Sequence, residues 1–259
     1  MYLVKMNCVI VAGGRLSPGD PLYPYTKGKP KALIDINGKP MIKWIVDAIQ
    51  GAENINQVAI VGLANEPYLE FSQPVHFIAD QGSLVANVIA GLDWEQRNKP
   101  VSDAVLFSSS DIPAITGEIV QSLIDNCKPF DKAIYYSVVT KEKMEAQFPG
   151  SKRTYARFRD NQVAGGDIFV AQSDVAEANP DLWPILANIR KHPWKIARLA
   201  GPFTLVKYIL RQLAMAEVSE RATRVLGRPV EILISKDAEI AMDADKPYQV
   251  ELLRAVLRG

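Results

Sequence analysis

The feature that most constrains this chain is an alternation. Apolar runs of strand length are followed repeatedly by stretches with helical periodicity. Residues 7–12 predict a buried strand and residues 40–50 an amphipathic helix. Strands are expected at 57–61, 74–79, 103–108 and 132–140, with helices at 83–94 and 117–126 between them. Thr116 stands where a helix N-cap is wanted, and Glu118 falls in the first turn, where negative charge is favoured. Near-continuous apolar strands joined through helices require an α/β fold, with a largely parallel sheet covered on both faces.

Beyond residue 150 the pattern changes. Residues 153–159 alternate with period two, Asp160-Asn161 supplies turn chemistry, and 163–171 reads as a returning strand. Residues 174–226 look mostly helical, punctuated by Pro180, Pro184, Pro193 and Pro202. A strand at 229–235 and a helix at 247–257 close the chain. No internal repeat or low-complexity linker divides the 259 residues. One domain is therefore expected over 1–259, with a helical insert at about 174–228. That insert is either a cover for one sheet face or an element that sets substrate specificity.

Composition excludes several classes. Lys and Arg number 30 against 29 acids, a net charge of +1, which argues against a general nucleic-acid binder. The two cysteines, Cys8 and Cys127, are too few and too far apart for a disulfide framework or a zinc site, and suit a reduced, cytoplasmic protein. The apolar N-terminus is short and interrupted by Gly13-Gly14, so it reads as a first strand rather than a signal peptide. No apolar run approaches the ~20 residues of a transmembrane segment. His76 and His192 give little reason to invoke imidazole catalysis.

Three constellations could carry chemistry. Ala12-Gly13-Gly14-Arg15 follows the first strand, and Lys27, Lys29 and Lys31 follow in the same loop. Glycines there let backbone N–H groups converge on a phosphate, and the cations suit a triphosphate. The alternative is a tight turn with solvated lysines. It is neither a Walker loop nor a G-x-G-x-x-G fingerprint. Next, an apolar strand runs into Ser108-Ser109-Ser110-Asp111 at its C-terminal end, where ligands bind in open α/β sheets. Asp111 would be a hard-oxygen ligand for Mg²⁺, or else a helix cap. Last, Asp243 and Asp245 precede Pro247 at the start of the final helix. They read as a metal site or as favourable charge at a helix N-terminus.

In this order, over residues 7–253, VAGGR…KPKALIDINGKPMIKWIVDAI, LFSSSDIP and MDADKPYQVELL resemble the signatures of the GT-A-like nucleotidyltransferases. That group includes the MobA-like NTP transferases and the molybdenum-cofactor and sugar-phosphate nucleotidyltransferases. DQGSLVANVIAGL is similar to the segment after their nucleobase-contacting loop. The resemblance implies a three-layer α/β/α fold with a mostly parallel mixed sheet. It implies transfer of NMP from an NTP to a small phosphorylated acceptor, with Mg²⁺ and release of pyrophosphate. It assigns Lys31 and Arg15 to catalysis, Ala12, Gly13, Gly14, Gly82 and Ser83 to the nucleotide, and Asp111 and Asp245 to the metal. Arg153, Thr154 and Asp167 fall on the expected hairpin, where an acceptor would lie. The chain departs from the family pattern in that Arg15 follows the glycine pair at once and a Pro- and Tyr-containing stretch, 17–25, intervenes. Competing readings are a GT-A glycosyltransferase, which a D-x-D so near the C-terminus disfavours, and a non-catalytic nucleotide-binding regulator. A homodimer is one expected assembly.

The helical stretch carries more apolar residues than one docked helix needs, among them Leu182, Trp183, Ile189, Trp194, Phe203 and Ile209. It also carries Arg190, Lys191, Lys195, Arg198, Lys207 and Arg211. These helices are expected beside the acceptor end of the site, with Arg198 and Lys207 drawing an anionic acceptor.

Overall fold

Strand β1, Met6–Val11, is buried on both faces because its apolar residues serve two cores, one on each side of the sheet. Cys8 and Ile10 enter one cluster and Val9 the other, the period of two that a pleated strand imposes. Those two clusters are the space between a central sheet and the helices on either side of it. A computed structural model describes residues 5–98, 102–187 and 201–258.

From Lys27 the chain runs to a 3-10 turn at Lys31–Leu33, a small hairpin of β2 (Asp35–Ile36) and β3 (Lys39–Pro40), and helix α2 (Met41–Gln50). A short helix, α1 (Tyr23–Thr26), precedes them. Strands β4 (Ile55–Val61) and β5 (Val75–Ile78) lead to helix α3 (Leu84–Arg97), β6 (Ala104–Ser109), α4 (Gly117–Asn126) and β7 (Ile134–Thr140). Then come α5 (Lys141–Gln147), β8 (Ala156–Arg157), β9 (Gln162–Gln172), α6 (Leu182–Ala187), α7 (Pro202–Ile209), α8 (Met215–Leu226), β10 (Val230–Ser235) and α9 (Pro247–Val256). The main sheet runs β10-β7-β9-β6-β1-β4-β5, with β8 on β9. Pairs β1–β4, β1–β6, β4–β5 and β7–β10 are parallel, whereas β9 runs antiparallel to its neighbours. This is the three-layer, mostly parallel mixed sheet expected of the fold class.

Ile45 and Ile49 of α2, Leu123 of α4 and Leu253 of α9 cover one face, each buried. Leu92 of α3, Leu182 of α6 and Leu226 of α8 cover the other. Each such side chain, taken out of water, contributes about 1.5–3 kcal/mol. Helix α4 starts at Thr116, whose hydroxyl accepts from the Ile119 N–H at 3.3 Å. The two cysteines are free and buried in the same core cluster. Burial pushes both thiols up, that of Cys127 to about 12, so neither is a ready nucleophile.

Two expectations need correction. The strand read over 153–159 shrinks to the two residues of β8, because period two without a run of apolar residues is a weak strand signal. Helix α5 falls where the sequence predicts no helix. Thr140 caps it through the Lys143 N–H at 3.4 Å, yet the segment is short and polar, and Met144 is its one buried residue. The helical stretch is helical at α6, α7 and α8. Residues 188–200, with Ile189, Trp194 and Arg198, lie outside the described residues. Among the described residues no helix is long and apolar enough to cross a membrane.

Candidate active site

Parallel strands end on one edge of the sheet, and the loops that leave them enclose a cavity of about 590 Å³. Gly13, Gly14 and Arg15 follow β1, Asp80 to Ser83 follow β5, Ser110 and Asp111 follow β6, and Asp243 and Asp245 precede α9. Of the residues singled out in the sequence, the wall contains Gly13, Gly14, Arg15, Lys31, Gly82, Ser83, Asp111, Asp167 and Asp245.

The glycine loop is closed by its own backbone. Lys31 N–H donates to Gly14 O at 2.9 Å, and Arg15 bridges Pro30 in antiparallel fashion. Residues 16–29 are thus an excursion pinched at its base, which delivers Lys31 beside the glycines despite the long insertion. The apolar residues after it, Ala32, Ile34 and Ile36, are fully buried and anchor the lysine's backbone.

Lys31 then joins two distant motifs. Its ammonium donates to Asp111 Oδ2 at 2.6 Å and to Asp245 Oδ1. Two oxygens on one nitrogen are at most about 6 Å apart, two hydrogen-bond lengths. Burial opposes the charge on Lys31, but the two carboxylates outweigh it and hold its pKa above the ordinary value. Burial likewise pushes Asp245 up, and the Lys31 cation overcomes it, leaving that carboxyl below its usual range. Ser109 Oγ donates to the other Asp111 oxygen at 2.6 Å, and Ala244 N–H donates to Asp111 O at 2.9 Å, tying the 243–245 segment to the end of β6. Asp111 is therefore not a helix cap, a role Thr116 fills.

Arg153 is placed differently from expectation. Its guanidinium pairs with Asp243, lies 3.6 Å from Asp167 and donates to Gly165 O at 3.4 Å. It stands behind the wall and braces it. Thr154 is exposed and does not line the cavity. Ala12, buried at the end of β1, is not in the wall either. Ser83 accepts from the Ala86 N–H at 3.2 Å and so caps α3 at the cavity edge. Lys207 pairs with Glu217 and lines a separate cavity that shares no residue with this one.

Asp167 owes its position to an irregularity. Tyr136 pairs with Phe169 and Val138 with Gly165, so three residues of β9 face one of β7. A bulge of this kind re-aims side chains next to functional sites. Burial, with Asp111 and Asp243 adding repulsion against the help of Arg153, pushes Asp167 up to about 8. Burial also raises Asp243, against the pull of Arg153.

Sequence reasoning missed Asp80 and Asn87. Asn87 is buried, donates to Asp80 Oδ1 at 2.9 Å and accepts from the Gln81 N–H at 2.7 Å. A Cβ on Gly13 would meet Asp80 Oδ1 at 2.6 Å, so this pair is the reason the loop needs glycine there. Only the N-terminal-turn position of Asn87 on α3 could have hinted at it.

The charge of the wall decides what can bind. Asp20, Asp80, Asp111, Asp167, Asp243 and Asp245 stand against Arg15 and Lys31. A polyanion entering such a site needs cations brought with it. Two close carboxylates that leave positions for phosphate and water are the donor set Mg²⁺ favours, so the residues fit that ion. Among the described residues no group of three or more His, Cys, Asp or Glu side chains is placed to hold a metal ion by itself.

The MobA-like NTP transferase domain model matches residues 8–229. The chain belongs to the MobA-like NTP transferase family. Its activity is of the nucleotidyltransferase type. Across 95% of this chain and 99% of the other, this MobA-like protein is 31% identical to a hypothetical transferase from Thermus thermophilus, with a TM-score of 0.82. A CMP:2-keto-3-deoxy-manno-octonic acid synthetase complexed with CTP shares the fold at 16% identity and a TM-score of 0.57, with 98% of each chain covered. So does a 2-C-methyl-D-erythritol 4-phosphate cytidylyltransferase, also from Thermus thermophilus, at 14% identity and a TM-score of 0.55, covering 98% of this chain and 100% of that one.

One stability prediction arises from Asp167. An unfolded aspartate ionises near pH 3.9, whereas the folded one holds its proton to about 8. Across that window the unfolded state binds fewer protons, so stability falls as pH rises. Asp167→Asn removes the cost. It should raise the free energy of unfolding by roughly 2 kcal/mol at pH 8, allowing for solvent around a half-buried side chain, and by nothing at pH 4. Urea unfolding at the two pH values checks this. Equal effects at both would mean the shift is absent.

Proposed function

We propose that this MobA-like protein transfers NMP from an NTP to a small phosphorylated acceptor in a Mg²⁺-dependent reaction that releases pyrophosphate. The observation that carries the reading is the Lys31 ammonium gripping both Asp111 and Asp245 at the mouth of the glycine loop.

Gly13, Gly14 and Arg15 would receive the β- and γ-phosphates, the part that leaves. Lys31 would steady the α-phosphate, and Gly82 and Ser83 would border the base, with buried Ala12 shaping the loop from behind. Asp111 and Asp245 would hold Mg²⁺, which when bound supplies the charge neutralisation this acidic wall lacks. An acceptor oxyanion attacks the α-phosphorus in line, a new P–O bond forms, the α–β bridge bond breaks, and the electron pair leaves on pyrophosphate. Positioning and preorganised charge do most of this work. Asp167 borders the acceptor side, and Arg153 acts on it indirectly by holding Asp243 and the bulge in place.

The test is a screen of four NTPs against sugar phosphates, polyol phosphates and phospho-cofactors. Pyrophosphate should appear only with an NTP, one acceptor class and Mg²⁺ together. It should cease on chelation and return when Mg²⁺ is restored. Turnover of nucleotide sugars without pyrophosphate would replace this reading by glycosyl transfer.

A further inference from the structure

Beside the acidic cavity lies a second one of opposite character, about 390 Å³, within the sheet layer covered by α3 and α6. Its floor is Phe107 and Phe169, adjacent side chains of β6 and β9 whose rings stack at 5.1 Å between centroids. Val88 of α3, Ile134 of β7, Ala171 and Trp183 complete the walls. Trp183 is fixed there by its indole N–H, which donates to Ala176 O at 2.8 Å. The two cavities meet: Val11, Leu84, Ser109 and Asp167 belong to both.

Several features suit this space to a ligand. It opens to the surface, and its lining among the described residues is almost wholly apolar. Its volume falls in the range of small-molecule sites, apolar with a few polar groups at one end. Leu84 stands at the junction with 62% of its surface exposed, one residue past the Ser83 cap, where a solvated side chain would serve as well. At the same junction Asp167 Oδ2 has no hydrogen-bond partner, and its 3.6 Å approach to Arg153 is too long for one. The sugar and phosphates of a nucleotide have no use for a floor of stacked phenyl rings, and the base is assigned to Gly82 and Ser83, which line the acidic cavity and not this one.

We infer that this chamber takes the apolar body of an amphiphilic acceptor whose anionic end lies in the acidic cavity, a phosphate carried on a hydrocarbon or ring system rather than on a polyhydroxylated sugar. The inference rests on the nucleotidyl-transfer reading for the word acceptor, whereas binding in the chamber can be tested alone.

The probes are n-alkyl phosphates from ethyl to dodecyl, titrated calorimetrically into the whole protein with Mg²⁺ present. Affinity should rise about fourfold per added methylene while the chain fills the chamber. A plateau at short chains identifies a compact amphiphile, and a rise continuing to dodecyl identifies a long-tailed lipid phosphate. Val88→Trp, which fills the chamber, should abolish the dependence on chain length. Leu84→Asp should do the same at an exposed position where folding is not at stake. Affinity independent of chain length, or a dependence that survives in both variants, overturns the inference. NTP binding is measured on the same wild-type protein. If no NTP binds, the nucleotidyl-transfer reading fails, and the alkyl series still judges the chamber.

Discussion

Replacing Lys31 with alanine is expected to raise the barrier to nucleotidyl transfer by about 2–4 kcal/mol, on the order of a hundredfold in turnover. The size follows from where the ammonium sits. Its side chain is 12% exposed, and it faces two carboxylates from motifs 80 and 214 residues away. Removing it takes a fixed positive charge from the place where the α-phosphate would develop charge. It also leaves Asp111 and Asp245 facing each other. The same change at Lys29, an exposed residue two positions earlier, should cost far less. Pyrophosphate release by the two variants, at saturating NTP and Mg²⁺, makes the comparison. Equal losses would show that the loop contributes only diffuse positive charge and that the bridging geometry is irrelevant.

Gly62→Ala should be strongly destabilising for a change of one methyl group. Gly62 follows β4 with φ at +96°, a region that costs an L-residue about 1–2 kcal/mol. Its Cβ would stand 2.5 Å from both Cα and N of Gly13. Those are backbone atoms, so no rotamer change relieves the contact. Neither strand can simply withdraw: Ala12 N–H donates to Val61 O at 2.7 Å, and Gly62 N–H donates to Ile78 O at 2.9 Å. Strain and clash together should lower stability by about 3 kcal/mol or more, at the upper end for point substitutions. Urea unfolding gives the magnitude. In the fraction that remains folded, NTP affinity should fall as well, because the displaced atom is the Gly13 amide nitrogen. Wild-type stability with wild-type NTP binding would mean that the β1 and β4 loops are not packed as described.

Local sequence determined the elements and much of the site. Strands β1, β4 and β6 are legible because a mostly buried apolar run has few other ways to exist. The positions of Gly13 and Asp111 follow from where those runs stop, since parallel strands put their C-terminal ends on one edge, whereas Asp245 is legible only as the start of the last helix and is brought to Asp111 by the tertiary fold. Lys31 is legible because an apolar run directly behind it anchors the backbone. Tertiary structure alone decided the partnerships. That Arg153 braces Asp243, that Asp80 and Asn87 crowd Gly13, that three residues of β9 bulge past one of β7 to swing Asp167 inward, and that Phe107 and Phe169 floor an open apolar chamber all depend on pairings between distant segments. Periodicity reports which face a residue takes on its own strand or helix, an outcome of local sterics and burial. It is silent on which neighbour that face meets, because strand order and register are set by the packing of the whole sheet.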